Sequence, residues 1–79
     1  MNIDKEYVIR LSGLDLGQVI DGLEARAQAW RSTAHYLETG EAPEGFVIEE
    51  CSDAEEALRL ADSYKRIVES FIRQQRQEQ

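Results

Sequence analysis

His35 and Cys51 are the only histidine and the only cysteine in the chain, and they bound the covalent chemistry open to it. A general base at His35 needs an orienting acid and a nucleophile within reach. Glu38, three residues on, could orient the ring, but the sequence implies no nucleophile beside it. The plain reading is a surface or half-buried histidine. Cys51 lies just ahead of a predicted helix, a position that lowers a thiol pKa. Glu49, Glu50 and Asp53 surround it with negative charge that acts the other way, so it reads as a partly buried structural cysteine. One cysteine excludes an intrachain disulfide, and one histidine leaves no His/Cys set for a metal. No glycine-rich phosphate loop, zinc spacing, hydrolase elbow or kinase signature occurs. No catalytic residue, metal or cofactor is therefore expected, and the chain is read as a non-enzyme.

Charge is the more unusual feature. The net charge is −7, which argues against nucleic acid and anionic membranes as partners, since both need a basic face. Eight acids lie between Glu38 and Glu56 with no Lys or Arg among them, so that segment accounts for the whole imbalance. It is either a solvated loop with a helix start, or a docking surface for a basic protein. Glu41, Glu44, Glu49 and Glu50 are the candidate docking residues. If they are only solvated, neutralising all four should leave stability unchanged or slightly higher. A calcium loop is disfavoured, because its regular acid spacing and central glycine are missing. Arg26, Arg31 and Tyr36 are the candidates for a small ligand, nucleotide or metabolite, since arginine grips phosphate and tyrosine stacks on rings.

Two long helices must position these residues. In the first, Leu16, Ile20, Leu23, Ala27, Trp30, Ala34 and Leu37 alternate steps of four and three, a heptad seam over three repeats. The sequence predicts a helix over 15–39, with Asp15 as N-cap, Gln18 reaching back to it, a Leu14–Val19 staple, and Gly40 in the left-handed position after its end. Gly22 inside it either marks a close backbone contact or is simply tolerated. The second seam runs through Ala57, Ala61, Tyr64, Val68 and Phe71. Its helix is predicted over 53–74, with Ser52 as cap and Glu55 completing a capping box. Glu55–Arg59, Asp62–Arg66 and Glu69–Arg73 are acid-first pairs four residues apart. Residues 75–79 have no apolar side chain and should fray. Tyr7, Ile9 and Leu11 alternate with Glu6, Val8 and Arg10, a period of two with β-branched and aromatic residues that predicts a short strand over 6–11. Residues 40–51 form an acidic loop, in which Phe46-Val47-Ile48 is a second short strand or an extended stretch.

The fold class that follows is mainly α (α+β): one domain over 1–79, two amphipathic helices packed as a hairpin, and one or two short strands. Small seam residues, Ala27, Ala34, Ala57 and Ala61, let the helix axes approach. The antiparallel hairpin is the preferred arrangement; a parallel one, with the loop returning along the helix as a strand, is the alternative. Chains of this size bury a small core and often rely on oligomerisation. Apolar residues beyond the seams (Val19, Leu58, Leu60, Ile67, Ile72) and a lone strand both ask for a further surface, so a homo-oligomer is expected. Met1 to Glu6 shows neither the basic nor the apolar region of a secretion signal, and no apolar run is long enough to span a bilayer, so a cytoplasmic location is expected.

The run Leu23-Glu24-Ala25-Arg26-Ala27-Gln28-Ala29-Trp30-Arg31-Ser32-Thr33-Ala34-His35-Tyr36-Leu37, with Glu49-Glu50-Cys51-Ser52-Asp53-Ala54-Glu55-Glu56-Ala57 and Tyr64, resembles small two-helix orphan proteins of bacteria and their phages. The resemblance implies the helical pair and carries no functional residue. The functional expectation is a self-associating protein-interaction module that uses apolar helix surface, the acidic 38–56 segment, or both. An oligomeric ligand-binding or sequestering protein is the alternative.

Overall fold

The computed structural model describes residues 5–42, 44–45 and 47–77. It contains two helices, α1 (Gly13–Thr39) and α2 (Ala54–Gln77), packed against each other. Trp30 and Ala34 of α1 meet Ala57 and Ala61 of α2, while Leu16 and Val19 share a groove with Phe71. The late part of one helix therefore faces the early part of the other, which is an antiparallel hairpin. Its long dimension is 43 Å, close to the roughly 40 Å of a 27-residue helix.

The seams do the packing. Ala27, Trp30, Ala34, Ala57, Ala61 and Val68 are buried, every one a seam position. Four alanines among six bring the backbones together, and Trp30 fills the space that alanines leave at the flank. Cys51, Ala54, Leu60 and Tyr64 close around this cluster. Toward the amino end of α1 the seam opens: Leu16, Ile20 and Leu23 are only half-buried.

Both helix starts fall near their predicted places with different caps. Ser12, in an extended conformation, caps α1 by accepting a hydrogen bond from the Asp15 amide at 3.1 Å. Asp15 therefore sits inside the first turn, and serves the helix dipole rather than the cap. The expected staple does not form, because Leu14 lies in that turn with 76% of its surface exposed. On α2 the capping box is displaced by one residue. The Glu56 amide donates to Asp53 Oδ1 at 2.8 Å, and the Ser52 amide donates to the Glu56 carboxylate at 3.0 Å. Glu56 replaces Glu55 because a cap at Asp53 puts the third helical residue at 56. Gly40 ends α1 with φ 79°, and its N–H donates to the Tyr36 carbonyl. A methyl group on Gly22 would meet nothing within 4 Å, so that glycine is tolerated and marks no close contact. The three acid-first pairs of α2 do not close into ion pairs among the described residues.

The strand expectations are corrected. Residues 6–11 carry no strand, and among the described residues none is present. The physical reason is the lack of a neighbour: no backbone hydrogen bond reaches 5–11 from the rest of the hairpin, and a strand exists only by pairing. Val47 and Ile48 are likewise outside any strand; Phe46 lies outside the described residues. Residues 75–77, expected to fray, extend α2, and Glu78 and Gln79 lie outside the described residues.

Candidate functional site

The loop end of the hairpin is tied down by side chains that lie off the seam. Thr33 is fully buried. Its hydroxyl donates to the Ala29 carbonyl at 2.9 Å and accepts from the Glu49 amide at 2.9 Å. That second bond fastens the loop onto the flank of α1, so the loop doubles back along the helix while the helices stay antiparallel. Arg26 adds to the fastening. Its guanidinium pairs with the Glu49 carboxylate and lies 5.6 Å from the Trp30 ring centre and 5.8 Å from that of Tyr64. One side chain thus links α1, α2 and the loop. Hydrogen bonding with Tyr64, and then the charge of Glu49, raise the Arg26 pKa from an already high value, so it stays cationic at any working pH.

This arrangement decides what the sequence candidates can do. Arg26 is engaged in the fold. Arg31 reaches back to Gln28, accepted by its Oε1 at 3.0 and 3.2 Å, and lines a cleft with Glu24, Lys65 and Glu69. Tyr36 is partly exposed near the end of α1. Steps of five residues turn a helix by about 140°, so Arg26, Arg31 and Tyr36 point in three directions around α1 and do not converge. Of the four glutamates, Glu41, Glu44 and Glu50 are exposed, and Glu41 lies 4.0 Å from His35. Glu49 is set apart by its pairing with Arg26. Neutralising it removes a structural contact, so the expectation of unchanged stability applies to the other three only. Two more acids of the segment, Asp53 and Glu56, serve the start of α2. Hydrogen bonds from the Ser52 amide and then its hydroxyl hold the Glu56 carboxyl below its usual pKa.

His35 faces Glu41, whereas the Cys51 thiol donates to the Asp53 carbonyl at 3.5 Å and packs beside the alanine cluster. Nothing joins the two into a catalytic pair. Among the described residues no group of three or more His, Cys, Asp or Glu side chains gathers closely enough to hold a metal ion. Trp30 Nε1 and Ser32 Oγ are buried without a hydrogen-bond partner among those residues, and neither lines the Arg31 cleft.

The opposite end of the hairpin has a different character. Val8 is 93% exposed, Ile9 76%, Tyr7 70%, and Leu11 and Val19 are also exposed. Val8, Ile9 and Leu11 form one wall of a groove completed by Leu16, Val19 and Phe71. Helix α1 is the more apolar of the two and spreads its apolar residues around its circumference, whereas α2 confines them to one side. The sequence marks residues 6–11 as a strand; it does not show that Val8, Ile9 and Leu11 wall a groove with α1 and α2. No helix among the described residues is long and apolar enough to cross a membrane.

Comparison with protein-family models, curated proteins and solved structures finds no match to this chain.

Proposed function

We propose that the chain is a self-associating protein-interaction module whose amino-terminal end docks onto a second copy. The observation that carries this reading is the exposed apolar wall at that end: Val8, Ile9 and Leu11 beside the Leu16–Val19–Phe71 groove. Contiguous apolar surface of this kind marks association sites in folded proteins. A second copy supplies what the segment lacks, since its backbone groups and its apolar side chains are uncovered together. Two-fold pairing satisfies both at once. The acidic loop ends then point away from the junction, where a basic protein partner would meet them. The assignment is to a binding module, with no catalysis.

The test is multi-angle light scattering over a dilution series up to about 100 µM, on the native chain and on the Ile9→Asp/Leu11→Asp double variant. The reading requires concentration-dependent dimers for the native chain and monomers for the variant, with helix content unchanged by circular dichroism. A native chain that stays at the monomer mass of 9.0 kDa throughout would overturn it.

A further inference from the structure

We infer that residues 6–10 pair with the same residues of a second copy as an antiparallel two-stranded ribbon centred on Val8. This rests on the self-association proposed above and specifies its register. The segment has the composition of a strand, with aromatic Tyr7 and β-branched Val8 and Ile9 between Glu6 and Arg10, and it has no backbone partner among the described residues. An isolated strand presents its own edge as a template for an identical one.

The register follows from charge and from faces. Antiparallel pairing about Val8 sets each residue opposite the one equally far on the other side of the centre. Glu6 then lies opposite Arg10 of the second copy, and Arg10 opposite Glu6, so the two-fold generates two ion pairs that flank a Val8–Val8 contact. On the other face Tyr7 lies opposite Ile9, again twice, and Leu11 lies opposite Lys5 of the second copy. Side chains directly opposite in a ribbon share a face and interact. A shift by half a step, to a centre between Val8 and Ile9, would set Tyr7 opposite Arg10 and Glu6 opposite Leu11, mixing the apolar and charged faces. A centre on Ile9 would set Val8 opposite Arg10 and Glu6 opposite Ser12. Only the centre on Val8 sets Glu6 and Arg10 against each other. The ribbon so formed adjoins the groove that Val8, Ile9, Arg10 and Leu11 line with Leu16, Val19 and Phe71.

The chemistry is self-complementary, and that gives a test independent of folding, because residues 6–10 lie outside both helices. Glu6→Arg and Arg10→Glu are made separately and together, and dimer dissociation constants are measured by sedimentation equilibrium at low salt. Each single variant replaces two attractive pairs by two like-charged ones and should weaken the homodimer about tenfold. The double variant restores both pairs with the charges exchanged and should return to within about twofold of the native value. An equimolar mixture of the two single variants should form a heterodimer in preference to either homodimer, since two bases then face two acids. If the native chain dimerises but the single variants bind as tightly as it does, or the double variant is no better than the worse single one, the register is overturned while self-association stands. If the native chain does not dimerise at all, both fail.

Discussion

The loop end and the amino-terminal end of the hairpin both carry apolar chain and use it in opposite ways. At the loop end, Trp30, Ala34, Ala57 and Ala61 form a closed cluster, and the connection between the helices is bound to its flank through Thr33 and Arg26. The loop backbone at Glu49 and the Glu49 charge are engaged within one copy, although Val47 and Leu58 remain exposed there. At the amino-terminal end, the segment before α1 bears its largest apolar side chains in solvent, and no backbone hydrogen bond holds it to the helices. The difference lies in covering material. The loop end has Glu49 and Cys51 of the connection held against it, whereas the other end has a segment of strand-like pattern and, among the described residues, nothing for it to pair with. Packing within the chain is thus concentrated at one end, and the proposed association would use the other.

That contrast can be broken most severely at the closed end. Trp30→Ala removes the largest buried side chain beside four alanines that cannot expand to fill the space. It should cost about 3–5 kcal/mol, a large part of what a small domain possesses. Urea denaturation should show the variant largely unfolded in dilute solution. Thr33→Val keeps the shape and removes the hydroxyl that accepts the Glu49 amide. A loss of about 1–3 kcal/mol is expected, with faster amide exchange at Glu49 while the helices stay protected. Gly22→Ala sharpens the comparison in the stabilising direction. The added methyl meets nothing, so the variant should gain about 1 kcal/mol in denaturation without altering the loop.

The smallest effect concerns acid. The Glu56 carboxyl has a lowered pKa in the folded chain, set by the hydrogen bonds from Ser52. Its contribution is complete above the ordinary glutamate value of about 4.3 and is lost as pH falls through the lower folded value. Between about pH 5 and 3 the native chain should therefore lose stability more steeply than Glu56→Gln, as followed by thermal melts. Parallel curves would show that the capping contact carries no linkage.

The helices are legible in the sequence because a seam of alternating four and three steps is a direct statement of helical packing, and every buried apolar residue falls on it. The left-handed Gly40 is equally plain, since few residues adopt that conformation. The caps differ from expectation by one or more positions because Ser12, Asp15, Ser52 and Asp53 are all competent caps, and local sequence does not choose among them. Thr33 and Arg26 are harder to read. Their role depends on where a loop lies, and the available signal is a second stripe, Arg26–Trp30–Thr33, spaced four and three beside the seam. The strand over 6–11 fails for a different reason. Its pattern is that of an amphipathic strand, but pairing is a property of two segments, and one copy of the chain supplies only one.

The contrast between the ends is tested most directly by hydrogen–deuterium exchange of the native chain, measured at about 5 µM and about 500 µM. The loop end should be insensitive to concentration, with the Glu49 amide protected equally in both samples. The amino-terminal end should respond: alternate amides within residues 6–10 should exchange freely in the dilute sample and become protected in the concentrated one, as an intermolecular ribbon forms. Free exchange of those amides at both concentrations, alongside an intact loop end, would contradict the account.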